Sequence, residues 1–500
     1  MGTVRQFPAL VILLIAAAAL MLVPAAHAAV LENWWVARTF VYHAVFFMVI
    51  GVILGLATMN RRPRLAERYH LMTLLLVYLL IPFVLALPLV HLVPSVGLGA
   101  AYFEMVSSLT TTGATIFDRP RLIADPLHLW RALVGWIGGL VILVAAFAVL
   151  APLNLGGFEI SRIEVARSEG RNFGSLAEAN ARILRCTRMI FPIYAGLTGA
   201  LTLLLVLAGD RPFVALCHAM ATLSTSGISP VGGIEGNPSG VLGEMAIAVF
   251  LLAAISHKGL LLSFRRGRGP SLQDPQVQLM LISVLGVTLL LFTRSFIGAY
   301  EIDRQDNFTA ALQAIWGSLF TVLSFLTTTG FESRHWQTMQ LWSGLGAPGI
   351  VLLGVAVMGG GIATTAGGIK LLRLYALYRH GLREMDLLVH PSAIGRRGRG
   401  EAAISDNGAQ IAFVFLMLFL VVLALVMMAL TATGLAFEQS LALAVAALTT
   451  TGPAIGALGG GLSYAELGPV AKAILCFGMV VGRMEALVIV ALFNPAYWRP

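Results

Sequence analysis

The sequence predicts an all-α, multi-pass membrane protein in which four membrane–pore–membrane repeats surround one pore with pseudo-fourfold symmetry. Three observations predict it. The 500 residues are 58% hydrophobic and only 11% charged, whereas soluble domains carry about 25% charged residues. Apolar runs of the roughly 17–25 residues needed to cross a hydrocarbon core recur along the chain. The pentapeptide "LTTTG" occurs three times, ending at Gly113, Gly330 and Gly452, and a near-copy, "LSTSG", ends at Gly227.

In order, the runs lie near Phe7 to Val23, Phe40 to Ala57, Leu71 to Val90, Leu129 to Leu150, Met189 to Ala208, Met245 to Leu262, Val277 to Phe292, Pro348 to Leu377, Ile411 to Leu430 and Val470 to Leu492. The first has two readings. Arg5 precedes it and "PAAHAA" ends it, which also fits a cleaved secretory signal. Either reading leaves the second helix starting outside.

The net charge of +9 is informative through its distribution. Arginines cluster at Arg61, Arg62, Arg64 and Arg68, then at Arg162, Arg167, Arg171, Arg182, Arg185 and Arg188. Further clusters hold Arg265, Arg266 and Arg268, then Arg373, Arg379, Arg383, Arg396, Arg397 and Arg399. Basic connections face the cytoplasm, and each cluster flanks a span, so the basic charge speaks for a lipid bilayer and not for nucleic acid. Cys186, Cys217 and Cys476 have no metal or redox spacing and are read as apolar packing residues.

The four pentapeptides recur at intervals of roughly 100 to 120 residues, too long for a soluble solenoid. Each ends a short apolar segment between two full runs: "AAYFEMVSSLTTTG", "PFVALCHAMATLSTSG", "AIWGSLFTVLSFLTTTG" and "SLALAVAALTTTG". About 10 to 14 apolar residues are too few to span but enough for a re-entrant half-helix. Irregular backbone at membrane depth is tolerated only where protein or a watery cavity satisfies it, so the signatures point at a pore axis. A dehydrated alkali cation needs several oxygens, which a ring of backbone carbonyls supplies. Glycine lets four chains approach closely. Threonine favours extended backbone and adds a hydroxyl oxygen. The half-helix C-termini, partially negative, favour a cation. Close helix packing by small residues is the alternative for a single pentapeptide, but not for four copies in the same context.

The candidate ring comprises Thr111, Thr112, Gly113 and Ala114; Thr225, Ser226, Gly227 and Ile228; Thr328, Thr329, Gly330 and Phe331; and Thr450, Thr451, Gly452 and Pro453. Below it, Gly359, Gly360, Gly361, Thr364, Thr365, Gly367 and Gly368 interrupt the third unit's return run. Each interior glycine costs a helix about 0.5–1 kcal/mol, so this span should break. Arg483 lies deep in the last run, where a charge costs at least about 2.5–3.5 kcal/mol and faces a partner or a watery cavity. Glu485, two residues on, does not share its helix face. Lys370 has two readings, loop contact or snorkelling to the cytoplasm, and His257 and Lys258 read as snorkelling residues. Glu104 and Asp118 bracket the first pentapeptide, and Asp118 has two readings, a cation-concentrating carboxylate in the outer mouth or an ordinary solvated loop residue.

The chain resembles the Trk/Ktr/HKT superfamily of cation transporters, and within it the bacterial TrkH-like potassium uptake branch. The resemblance covers nearly the whole length and is carried by the pentapeptides, "WRALVGWIGGLVILV", "GGGIATTAGGIKLLRL", "GLREMDLLVHPSAI" and "GRMEALVIVALFNPAYWRP". It implies two extra helices (residues 1–64) before repeats over 65–155, 156–266, 267–400 and 401–500. It also implies a bacterial cytoplasmic membrane location, a homodimer with one pore per subunit, and a cytosolic, nucleotide-binding TrkA-like regulator. The glycine-rich break is implied to be an intramembrane gating loop, with Arg483 facing the permeation path. No phosphate-cradling or dinucleotide fingerprint occurs in the sequence, so nucleotide control would come through the partner. In the superfamily, glycine at all four filter positions goes with potassium, and serine in the first goes with sodium in some plant members. "LSTSGIS" and "LTTTGFES" depart in detail from the common second and third filters. The expectation is channel-like potassium uptake, with no cofactor in this chain. A sodium or non-selective transporter of the same superfamily is the alternative. An alternating-access carrier would show twofold or inverted repeats, and an enzyme would show a His/Glu metal cluster or a nucleophile with its base, which the ten histidines do not form.

Overall fold

Apolar length sets the architecture. A computed structural model describes residues 7–58, 66–153, 155, 157–158, 176–255, 274–301, 308–343, 349–390, 408–458 and 461–493. Among these, every regular element is helical, and seven helices are long and apolar enough to cross a membrane. Two precede the repeats. Helices α1 (Ala9–Leu20) and α2 (Leu22–Val30) form one 22-residue span packed on α3 (Trp34–Thr58), where Gly51 makes room for Ile15, and Ala18, Met21, Ala25 and Ala28 are buried. The first span therefore continues past Val23, the end expected from hydropathy.

The first repeat is α4 (Ala66–Leu92), the short α5 (Leu98–Leu109) and α6 (Asp125–Ala145). Pro82 and Pro88 interrupt the α4 ladder, and nearby carbonyls of Leu79 and Leu85 accept from Tyr102 Oη and Trp130 Nε1 at 3.0 and 3.1 Å. Neighbouring helices thus satisfy backbone acceptors that lipid cannot. Helix α6 ends in a π-helical turn, Ala146–Leu150. The second repeat is α7 (Leu176–Leu207), α8 (Pro212–Ser224) and α9 (Gly240–Leu251). The third is α10 (Pro275–Glu301), α11 (Phe308–Leu326), α12 (Trp336–Ser343), and a return span divided into α13 (Gly349–Met358) and α14 (Leu371–Val389). The fourth is α15 (Gly408–Thr431), α16 (Phe437–Leu448), α17 (Pro469–Met484) and α18 (Ala486–Phe493).

Two differences from the hydropathy reading stand out. Helix α11 has 19 residues, longer than the other half-helices, because polar Thr309 and Gln313 extend it beyond its apolar part. The last run is also broken, at Glu485, whose φ is +66°. Of the arginine clusters, residues 61, 62, 64, 162, 167, 171, 265, 266, 268, 396, 397 and 399 lie outside the described residues, as do His257 and Lys258. Arg373 is a correction. Instead of facing the cytoplasm it is fully buried, bonded to Glu485 at 2.6 Å and stacked 3.7 Å from the Phe415 ring centroid. A guanidinium so placed has a carboxylate and a π face as its solvent.

Candidate functional site

The four pentapeptides fold alike. The first hydroxyl, on Thr110, Ser224, Thr327 or Thr449, returns to the carbonyl four residues back at 2.8–3.0 Å. It also bonds the third hydroxyl, on Thr112, Ser226, Thr329 or Thr451, at 2.8, 2.9, 3.2 and 3.0 Å. The third residue's N–H donates five residues back, to Ser107, Ala221, Ser324 and Ala446, at 2.8–2.9 Å. This is the closure that ends a helix on a left-handed residue, a position usually filled by glycine.

Here the left-handed residue is threonine. Thr111, Thr225, Thr328 and Thr450 have φ of +56°, +51°, +58° and +55°. A β-branched residue in this region is an outlier, and the extended backbone expected for threonine is corrected at these positions. Repeated in four quadrants, such backbone strain persists only where the surroundings over-determine it. The cause is collective: two side-chain hydroxyls and one backbone bond over-determine each turn.

The quadrants close in a ring. A Cβ added to Gly113 would fall 3.0 Å from the Ser226 carbonyl carbon and closer still to its oxygen. One at Gly227 would meet the Thr329 carbonyl, one at Gly330 would lie 3.0 Å from Pro453 Cβ, and one at Gly452 2.6 Å from Gly113 C. Each glycine abuts the next repeat, so the chain winds once round the axis. Ala114, Ile228, Phe331 and Pro453 follow the glycines; Ala114, Ile228 and Phe331 are almost wholly buried. In three quadrants the glycine is left-handed, at +74°, +64° and +80°; Gly452 is not.

Polar clasps hold the outer ends of the ring, and reading one quadrant at a time missed them. Glu104 is buried, pairs with Arg131 at 2.5 Å and accepts from Ile116 N–H at 2.9 Å, while Arg131 donates to Thr115 Oγ1 at 2.7 Å. His218 bonds Ser229 Oγ at 2.8 Å and Asn237 Nδ2 at 3.0 Å. Glu244, from α9, accepts from Trp316 Nε1, Ser333 Oγ and Arg334 N–H in the next repeat at 2.7–2.8 Å. Asp118 is exposed and accepts from Ser463 Oγ. In the loop beyond the third pentapeptide, burial and then the charge of Glu235 push the Glu332 carboxyl up to about 7.

Beneath the ring, the third return span breaks at the glycine-rich segment. Gly359 and Gly368 take φ of +72° and +77°, and the segment folds into a hairpin through Ile369 N–H to Val357 O and Lys370 N–H to Met358 O at 3.0 and 3.1 Å. Gly360 and Gly361 lie against Ala254 and Ile255 backbone, where a side chain has no room, and Ile362 N–H bonds Gln276 Oε1 at 2.9 Å. Thr364 Oγ1 turns back to Gly361 O at 2.7 Å.

This hairpin touches the ring. Gly367 N–H donates to Thr328 Oγ1 at 2.8 Å, and Thr365 Oγ1 to Leu223 O at 3.3 Å. Arg483 Nη1 donates to Thr365 O at 2.6 Å, and its Nε and Nη2 have no hydrogen-bond partner among the described residues. Lys370 is buried and donates to Ala366 O, so it belongs to the hairpin and does not snorkel. Beside these groups is a cavity of about 20 Å³ lined by Gly367, Gly368, Lys370, Arg483 and Glu485, room for about one water.

Comparison with known proteins agrees with this architecture. The family model for TrkH, described as a cation transport protein, matches residues 38–232 and 272–499. The Trk system potassium uptake protein TrkH of Escherichia coli (strain K12) is 30% identical over 465 residues, 92% of each chain. A protein of the same name from Halomonas elongata is 30% identical over 404 residues, covering 80% of this chain and 79% of the relative. The crystal structure of the potassium transporter TrkH from Vibrio parahaemolyticus matches with a TM-score of 0.82 and 25% identity over 99% of both chains. The chain, an integral multi-pass protein of the inner membrane, belongs to the TrkH family of cation transport proteins.

Proposed function

We propose that this chain mediates potassium uptake by channel-like permeation through the ring of four pentapeptides. The observation that carries the reading is the fourfold recurrence of one strained turn, with left-handed Thr111, Thr225, Thr328 and Thr450 and adjoining signature glycines. Such a ring concentrates backbone carbonyls and hydroxyls where a dehydrated cation needs oxygens. The buried hydroxyls of Thr111 and Thr450 have no hydrogen-bond partner among the described residues, and are free to serve as ligands. Potassium is the substrate, and glycine at 113, 227, 330 and 452 favours it over sodium. The relatives' printed names, potassium uptake protein and potassium transporter, support the same ion.

In this reading the hairpin over residues 359–370 is the gate. It seals the ring from below through Gly367, and Arg483 repels cations while gripping the hairpin at Thr365. A homodimer, with a cytosolic TrkA-like nucleotide-binding protein moving the hairpin, completes the proposal.

The test is rubidium uptake into potassium-depleted cells lacking their own uptake systems, with sodium as competitor. Uptake by the intact chain should resist sodium, and Gly113→Ser should lose that resistance. If the membrane-inserted chain, supplied with its partner, carries neither ion, or if the variant behaves identically, the ring is not the filter.

A further inference from the structure

The fourth quadrant breaks the symmetry of the ring in four linked ways. Gly452 lacks the left-handed φ of Gly113, Gly227 and Gly330. Its N–H, which in quadrants one and three leans back toward Ser107 and Ser324 at 3.4 and 3.3 Å, instead crosses to Thr112 O at 2.6 Å. Its carbonyl accepts from Tyr464 Oη at 2.9 Å. The chain then enters a 3₁₀ turn, Gly452–Leu458. Pro453, where the other quadrants have Ala114, Ile228 and Phe331, sets this course. Its ring is what a Cβ on Gly330 would meet at 3.0 Å, and it would lie 2.9 Å from a Cβ on Gly227 in the opposite quadrant.

Tyr464 is placed to hold this arrangement. Its side chain is buried, with its ring 5.6 Å from that of Phe103 on α5. The hydroxyl thus reaches Gly452 from an aromatic ring packed beside half-helix α5. A carbonyl that already accepts a hydroxyl has that much less to offer an ion. The carbonyls of Gly113, Gly227 and Gly330 have no such donor among the described residues.

We infer that Tyr464 is a selectivity-determining positioning residue, whose hydroxyl holds the Gly452 carbonyl, while the carbonyls of Gly113, Gly227 and Gly330 accept no hydrogen bond among the described residues and stay free for an ion. The inference rests on the filter reading above. Discrimination between alkali ions depends on the number and field strength of coordinating carbonyls. A ring with one carbonyl so held discriminates less sharply than a complete one. Removing the hydroxyl frees an acceptor that cannot stay buried and unpaired without cost, and the ring is where it finds a partner cation.

The test is Tyr464→Phe, which deletes one oxygen and keeps the ring beside Phe103. In the rubidium uptake assay with sodium competitor, the ratio of sodium concentration for half-inhibition to that of the parent should rise by about threefold or more, the scale of one hydrogen bond's net contribution. Maximal uptake per inserted molecule is recorded alongside, because a merely structural residue would lower that maximum without moving the ratio. Pro453→Ala, which gives quadrant four the residue of quadrant one, should move the ratio in the same direction and serves if Tyr464→Phe does not insert. A ratio that is unchanged or lower overturns the inference. Gly113→Ser separates this failure from failure of the filter itself. If Gly113→Ser loses sodium resistance while Tyr464→Phe matches the parent, the filter stands and the role of Tyr464 falls. If neither changes anything, the filter reading falls first.

Discussion

Gly367→Ala probes the contact between hairpin and ring. The backbone of Gly367 is not left-handed, so the substitution tests space alone. The new Cβ would lie 2.5 Å from Thr450 Oγ1 and 2.9 Å from the Thr449 carbonyl carbon, against an ordinary contact of 3.4 Å. The hairpin or the ring must give by at least about 0.9 Å at Thr450 Oγ1 and by more at the Thr449 carbonyl oxygen, which lies closer still. The ring is braced by its hydroxyl pairs and helix closures in every quadrant, so the hairpin yields. Its 2.8 Å bond from Gly367 N–H to Thr328 Oγ1 then stretches past about 3.5 Å, beyond hydrogen-bonding reach. Overpacking of about 1–3 kcal/mol and one lost bond of about 0.5–1.5 kcal/mol destabilise the seated hairpin. Every 1.4 kcal/mol or so is tenfold in its equilibrium. The assay is rubidium flux into proteoliposomes holding this chain alone, with Gly199→Ala, where a Cβ meets nothing within 4 Å, as control. Flux should rise at least about tenfold with sodium exclusion retained. Unchanged flux would refute the contact as a seal, and altered selectivity at constant flux would show that the ring yields instead.

Two further outcomes follow from the charges. Glu485→Gln takes from the buried Arg373 guanidinium the carboxylate it is bonded to at 2.6 Å, and should lower stability in detergent by about 3–5 kcal/mol; a melting temperature equal to the parent's would contradict the pairing. The Glu332 carboxyl, raised to about 7 by burial and then by Glu235, is charged above that pH and neutral below it. Its attraction for cations is therefore present on the alkaline side and lost as external pH falls through neutrality. Half-saturating potassium should rise with acidification in the parent and stay flat in Glu332→Gln; equal slopes would dismiss the carboxylate.

Much of this was legible in the chain. Seven of the ten apolar runs are helices long and apolar enough to cross a membrane among the described residues, and the four pentapeptides marked the turns of the ring, because hydropathy and a repeated signature are local properties. Glycines at 359–361, 367 and 368 announced the break between α13 and α14 for the same reason. What escaped is non-local. Arg373 looked like a cytoplasmic charge until Glu485 and Phe415, distant in sequence, closed round it. Threonine propensity predicted extended backbone at residues 111, 225, 328 and 450, and tertiary hydrogen bonds overrode it. Tyr464 carried no motif at all. Pro453 was the one visible sign that the fourth quadrant differs, since proline fixes its own φ and has no N–H.

The most direct test of the account is an experimental structure with rubidium in place of potassium, read by anomalous scattering. Density on the axis within the ring of Gly113, Gly227, Gly330 and Gly452, weakened by sodium exchange, is the predicted result. Rubidium bound elsewhere in the membrane region, with the ring empty at saturating ion, would contradict it.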